Sequence, residues 1–248
     1  MRWNGSDQCK AGTLSGRINV RPDLFSRGNP IMSNSPFEQW LDRLARAETP
    51  ADATNQFAYG NPNNDIRRAN LRRYLAQMNE RQPTVMLVGE APGYRGSRLT
   101  GIPFGSRRVV LNGVPELGLF GVENGYQDAP EPGFERIQGE QSSTAVWGTL
   151  AALRQTPLIW AAYPYHPHLL NEPLTNRKPR RPETDLGLPL LRGLIALYPV
   201  TIFVAVGNVG EEALKRLGIT AVKVRHPAQG GKNDFMRGLT EAFAAIMR

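Results

Sequence analysis

Apolar residues along this chain fall into two patterns. Four short runs are almost wholly apolar: Thr84–Val88, Leu158–Ala162, Thr201–Val206 and Ala221–Val224. Continuous runs of this length suit parallel strands buried on both faces. Longer stretches repeat apolar residues at helical spacing: Pro36–Glu48, Ile66–Glu80, Ser143–Arg154, Glu183–Leu197, Val209–Leu217 and Phe235–Met247. In the second of these, Leu71, Tyr74, Leu75 and Met78 share one side and several arginines the other. Strands alternating with helices imply right-handed crossovers, so the expected class is α/β: a three-layer α/β/α sandwich around a central four-stranded parallel sheet. No internal repeat is present. Residues 36–248 read as a single domain. Residues 1–35, rich in Gly, Ser, Asn and Arg, read as a flexible N-terminal tail without a signal-peptide core.

Two segments lack a period. Gln56–Asp65 is rich in Asn and Pro, and Arg95–Gly139 is rich in Gly and Pro. Long connections of the second kind tend to be functional or mobile. In open α/β sheets a ligand sits beyond the carboxyl ends of the strands. The four strand-end loops therefore carry the candidate chemistry: Gly89-Glu90-Ala91-Pro92-Gly93-Tyr94, Tyr163-Pro164-Tyr165-His166-Pro167-His168, Gly207-Asn208, and Arg225-His226-Pro227-Ala228-Gln229-Gly230-Gly231. An acid, aromatic rings and a histidine are delivered to one edge. Each also has a plain reading. Gly-Glu-Ala-Pro-Gly is equally an ordinary strand-to-helix turn. The histidine-rich run is equally a rigid packed loop, and Arg177-Lys178-Pro179-Arg180-Arg181 a solvated charge run.

Composition narrows the classes. The chain has 248 residues, a net charge of +8 and a pI near 10.0, which favours a polyanionic partner. Its one cysteine, Cys9, excludes a disulfide within the chain and a cluster held by four cysteines. With three histidines and no carboxylate at ligand spacing beside His166 and His168, neither a metal nor another cofactor is expected. No apolar run is long enough to span a membrane, so no membrane partner is expected and the cytoplasm is the default location. No P-loop and no Gly-x-Gly-x-x-Gly opening a helix supports a nucleotide-binding enzyme.

The motifs, in this order and spacing, resemble the uracil-DNA glycosylase superfamily over about Thr84–Arg248. Gly89-Glu90-Ala91-Pro92-Gly93 resembles the family-four form, and Gly101-Ile102-Pro103-Phe104 stands where that family has Gly-x-Pro-Phe. Val224-Arg225-His226-Pro227-Ala228 resembles the His-Pro-Ser motif, and Gly230-Gly231, Ser143–Trp147 and Ala162-x-Pro-x-His-Pro resemble segments of bacterial members. The resemblance implies removal of uracil, or a related deaminated base, from single- or double-stranded DNA by a protein acting as a monomer. It assigns His226 to bonding the base oxygen as negative charge develops and Glu90 to the attacking water. Gly89, Ala91, Gly93, Tyr94, Phe104 and Ala161 would form the base pocket, with Phe104 stacking on the base. Arg177, Lys178, Arg180 and Arg181 would contact phosphates, while Arg225, Gln229, Gly230 and Gly231 would enter the groove.

The chain departs from the family at three places. It lacks the four cysteines of the iron-sulfur branch. Ala91 and Gly93 stand where the best-known branch has a water-activating Asp and a thymine-blocking Tyr. Ala161 stands where many relatives have an Asn that reads the base edge. No lysine lies at a matched motif position, which argues against a lyase; Lys223 and Lys232 lie outside those positions. The alternative function is a low-turnover module of the same fold that holds damaged or abasic DNA.

Overall fold

The structure, a computed structural model, describes residues 35–247; the expected N-terminal tail and Cys9 lie outside them. The first helix, α1 (Pro36–Arg46), starts where Ser35 accepts the Glu38 N–H at 3.2 Å. Phe37, Trp40, Leu41 and Leu44 form its buried face. A two-residue strand β1 (Ala53–Thr54) precedes the long helix α2 (Pro62–Arg81). The helix begins four residues earlier than its apolar period, because Asn61 accepts the Asn63 N–H at 2.9 Å and Pro62 fits the first turn.

The four apolar runs form the strands β2 (Val85–Gly89), β3 (Leu158–Ala161), β5 (Ile202–Val206) and β6 (Val222–Val224) of one all-parallel sheet, in the order β3-β2-β5-β6. Gly89 pairs with Ala161, Val88 with Ala205 and Val206 with Val224, so the four carboxyl ends finish level. The chain leaves β2 toward β3 on one side and β5 toward β6 on the other. The crevice between β2 and β5 is therefore the switch point where such sheets bind ligands.

Helices α5 (Gln141–Leu153), α6 (Arg181–Leu197), α7 (Gly207–Arg216) and α8 (Lys232–Ile246) connect and flank these strands. Helix α5 packs on α8, and α1 on α6, around the sheet. The α/β sandwich expected from the apolar pattern is thus the observed fold. Its core holds several close aromatic pairs. Trp40 meets Trp160 at 5.1 Å between centroids, and Phe120 meets Trp147 at 4.7 Å.

Two features depart from the periodic pattern. Strand β4 (His166–Pro167) pairs antiparallel with β1, matching Ala53 to Pro167 and Thr54 to His166. Segment 95–139 is folded rather than loose. It contains α3 (Ser97–Thr100), α4 (Arg107–Asn112) and two short 3-10 turns, and buried arginines pin it. Glu131 accepts from both Arg67 and Arg98, and Asp128 from Arg107. The arginine side of α2 is consequently a solvent face only in its later turns: Arg67 is 2% exposed and Arg68 5%, covered by this segment and by the carbonyls of Phe57 and Ala58, while Arg72 and Arg73 are exposed. A buried guanidinium requires such partners. Among the described residues no helix is long and apolar enough to cross a membrane.

Candidate active site

A cavity of about 610 Å3 opens at the carboxyl ends of the parallel strands, large enough for a nucleobase. Glu90, Ala91 and Gly93 reach it from β2, Ala161 from β3, Gly207 and Asn208 from β5, and Arg225, His226 and Gln229 from β6. Phe104 comes from the turn after α3. Four strand ends thus deliver side chains from positions 90 to 229 to one space.

Phe104 shapes the floor. It adopts a left-handed backbone with φ +50, a strained state for an aromatic residue and one concentrated at functional sites. Its ring lies over Gly89, where an added Cβ would stand 2.5 Å from the ring edge. The same ring faces His226 at 5.9 Å between centroids. Gly89 therefore serves by having no side chain, and does not itself line the cavity. Trp147 Nε1–H holds the Phe104 carbonyl at 3.1 Å.

Glu90 is half-buried. Burial raises its carboxyl above the usual range, and the nearby Lys178 ammonium opposes that rise. His226 is held below its ordinary value, chiefly by burial, with Arg225 adding to the depression and Glu140 opposing it. The ring is thus neutral at pH 7. Its Nδ1 accepts the Ala228 N–H at 3.2 Å, which leaves the proton on Nε2 as a free donor. A second source of donors is helix α7. It starts directly after β5 with no side chain capping its first turn, and its first residues line the cavity. Such an end favours developing negative charge.

Other expected residues go elsewhere. Tyr94 turns away from the cavity and meets Phe134 edge-on at 6.4 Å, with the Arg95 guanidinium 5.1 Å from its ring. Gly230 does not line the cavity; Gly231 is buried beneath the His226–Ala228 backbone. In the basic run, Arg177 grips Glu183 at 2.5 and 2.7 Å, and Arg180 bonds Asp52 at 2.6 Å. Burial pushes the Glu183 carboxyl up, but bonds from Arg177 and Arg180 overcome it and hold it at about 2. These two arginines shape the loop. Lys178, Arg181 and Arg225 are exposed and carry no ion pair among the described residues.

The histidine-rich loop is packed, with His166 and His168 both buried. Burial holds His166 down to about 4, so its neutral ring has one proton to give. Its nearer acceptor is the Pro92 carbonyl, 2.8 Å from Nδ1, which ties the loop to the Glu90 turn. His168 meets Thr54 Oγ1 at 3.2 Å. Among the described residues no three His, Cys, Asp or Glu form a group that could hold a metal.

Three site residues escape sequence reasoning. Glu140 caps α5, accepting from Ser142 N–H at 2.9 Å and Ser143 N–H at 2.7 Å, while also lining the cavity. Asn176 accepts the Tyr94 N–H at 3.0 Å, and its amide lies 3.7 Å from where a Gly93 side chain would begin. Gln56 reaches the cavity from the connection after β1. Only Glu140 had a local signal, a capping acid just before a helix.

No curated protein matches the chain. Among solved structures, that of wild-type Pedobacter heparinus SMUG2 is similar in fold, with a TM-score of 0.54 and 17% identity over 84% of this chain and 97% of that one. The family model of the uracil DNA glycosylase superfamily matches residues 75–246, the span that holds the sheet and nearly all of the cavity. The chain therefore belongs to the uracil DNA glycosylase superfamily, and its fold is that of a DNA glycosylase.

Proposed function

We propose that this protein is a monofunctional glycosylase that hydrolyses the N-glycosidic bond of uracil, or a related deaminated base, in DNA and leaves an abasic site. One observation carries this reading: a half-buried carboxylate, an aromatic ring and a neutral imidazole donor meet in one cavity at the sheet's switch point. A base stacked in DNA is out of reach, so it must be turned out into a pocket. It then departs as an anion while the sugar becomes cation-like. His226 Nε2–H and the open end of α7 meet the developing negative charge. Glu90 orients the attacking water and takes its proton. Phe104 stacks on the base.

The test uses labelled oligonucleotides carrying uracil, hypoxanthine or xanthine, with and without alkali. Strand breaks only after alkali are expected. Breaks without alkali would reveal a lyase, with Lys178 at the cavity wall as its amine. Ala161, which offers the base no polar group, favours the alternative of a low-turnover module that retains damaged DNA; binding without release under single-turnover conditions would establish it.

Two results are expected of variants. Gly89→Ala keeps the fold but displaces the Phe104 ring, and excision falls by about 1–3 kcal/mol, the worth of one base–aromatic stack; an unchanged rate removes Phe104 from base binding. Phosphate binding falls to Lys178, Arg181 and Arg225. Replacing all three by Ala lowers the log–log salt slope of duplex binding by about 0.9 for each phosphate no longer neutralised. An unaltered slope makes them an ordinary solvated surface.

A further inference from the structure

We propose that the double turn at residues 169–175 is a wedge, which presses exposed leucines into the base stack of duplex DNA beside the extruded nucleotide. Leu169, Leu170 and Leu174 are 48%, 60% and 49% exposed. Along the chain the other exposed large apolar residues stand singly. An apolar cluster left in water marks an interaction surface.

The backbone holds the cluster in one shape. Glu172 N–H donates to the Leu169 carbonyl at 3.0 Å, closing a first turn with Leu170 and Asn171 at its tip. Asn171 has φ +63, a left-handed state that asparagine tolerates better than most residues. Thr175 N–H donates to the Glu172 carbonyl at 3.2 Å, closing a second turn over Pro173 and Leu174. Thr175 Oγ1 joins the two, donating to the Glu172 carbonyl at 2.7 Å and accepting the Leu169 N–H at 2.9 Å. Buried His168 anchors the base: its Nδ1–H donates to the Leu169 carbonyl at 2.8 Å, and its own carbonyl accepts from Arg177 Nε–H at 2.8 Å. Side chains carried on a fixed backbone lose less freedom on binding.

Position and charge name the occupant. Asn176, Arg177 and Lys178 follow the double turn directly and line the cavity. Consecutive Cα atoms lie about 3.8 Å apart, so the Leu174 Cα is within about 7.6 Å of the Asn176 Cα. A duplex that delivers one base into the cavity brings its next base steps to the leucines. None of the other strand-end loops around the cavity exposes a large apolar side chain among the described residues. Segment 169–181 carries four cations against one carboxylate, Glu172. Of those cations Lys178 and Arg181 are exposed and without an ion pair among the described residues. An apolar protein partner would leave them uncompensated; phosphates flanking stacked bases satisfy both features. A leucine entering between base steps takes up room left by the extruded base and opposes its return.

The proposal rests on the glycosylase reading, and its test separates the two. Single-turnover excision of uracil is measured on duplex and on single-stranded oligonucleotides. Wild type is compared with the double variants Leu170→Ser, Leu174→Ser and Leu170→Met, Leu174→Met, with circular dichroism and thermal melting as checks of the fold. The serine variant is expected to be about tenfold or more slower on duplex, the worth of one unstacked base step. On the single strand, where no stack need be opened, its rate stays within about threefold of wild type. The methionine variant keeps both rates. An unchanged duplex rate, or equal slowing on both substrates, overturns the wedge. So does a wild type that self-associates through the leucines, with the serine variant monomeric and equally fast on duplex. If wild type releases neither uracil, hypoxanthine nor xanthine, the glycosylase reading falls. The wedge is then read by binding to a duplex with a tetrahydrofuran abasic site beside 2-aminopurine. A fluorescence rise lost in the serine variant upholds it, and no rise, or an equal one, overturns it.

Discussion

Glu90→Gln is expected to cut single-turnover excision by about 10²–10⁴-fold, the range for a missing general base. The change preserves shape and removes only the charge, so binding of substrate DNA should persist. The pH profile gives an independent reading. Burial raises the Glu90 carboxyl above 4.5, and the ionised form is the active one. The rate should therefore rise with pH through a limb lying above the ordinary carboxylate range. Lys178 stabilises the ionised form, so Lys178→Ala shifts the limb further toward neutrality. A limb that stays in place in Lys178→Ala, or a Glu90→Gln rate near wild type, removes this carboxylate from the chemical step.

His226→Ala is expected to cost about 2.7–4 kcal/mol of transition-state stabilisation, the usual value of one oxyanion donor. The loss should fall on the chemical step, since a neutral donor binds the departing anion better than the neutral base. The neutral state has a structural origin: burial opposes the charged ring, and the Ala228 amide occupies Nδ1. Activity should therefore not require a protonated imidazole, and no alkaline limb near the ordinary histidine value is expected. Normal turnover in His226→Ala, or such a limb abolished by it, would contradict this role.

The sheet was legible because runs such as Met86-Leu87-Val88 are buried on both faces and so are apolar without interruption. Strand-end loops followed from topology, and with them Glu90 and His226. Strands β1 and β4 were not legible, since two residues each carry no periodicity. Gln56 was hidden for a related reason: its hydrogen bond to Pro164 spans 108 residues, and nothing local marks such a pairing. The start of α2 was marked by Asn61-Pro62, a capping signal inside a stretch that reads as loop. The pairing within the basic run was not legible because Glu183, the partner of Arg177 and Arg180, lies just beyond it inside α6. A tyrosine beside a motif is no guide to its direction: Tyr94 follows Gly93 but faces Phe134.

The aromatic seam beneath β3 separates two boundaries. The family match begins at residue 75, yet Trp40 meets Trp160 edge-on, Tyr74 Oη accepts the Ile159 N–H at 2.8 Å, and Gln56 Nε2 donates to the Pro164 carbonyl. A piece cut to the matched span would uncover one face of Trp160, orphan a core amide and open the cavity on one side. The unit of kinship is therefore shorter than the packed unit around β3, and residues ahead of the recognisable signature help wall the cavity as much as the motifs within it.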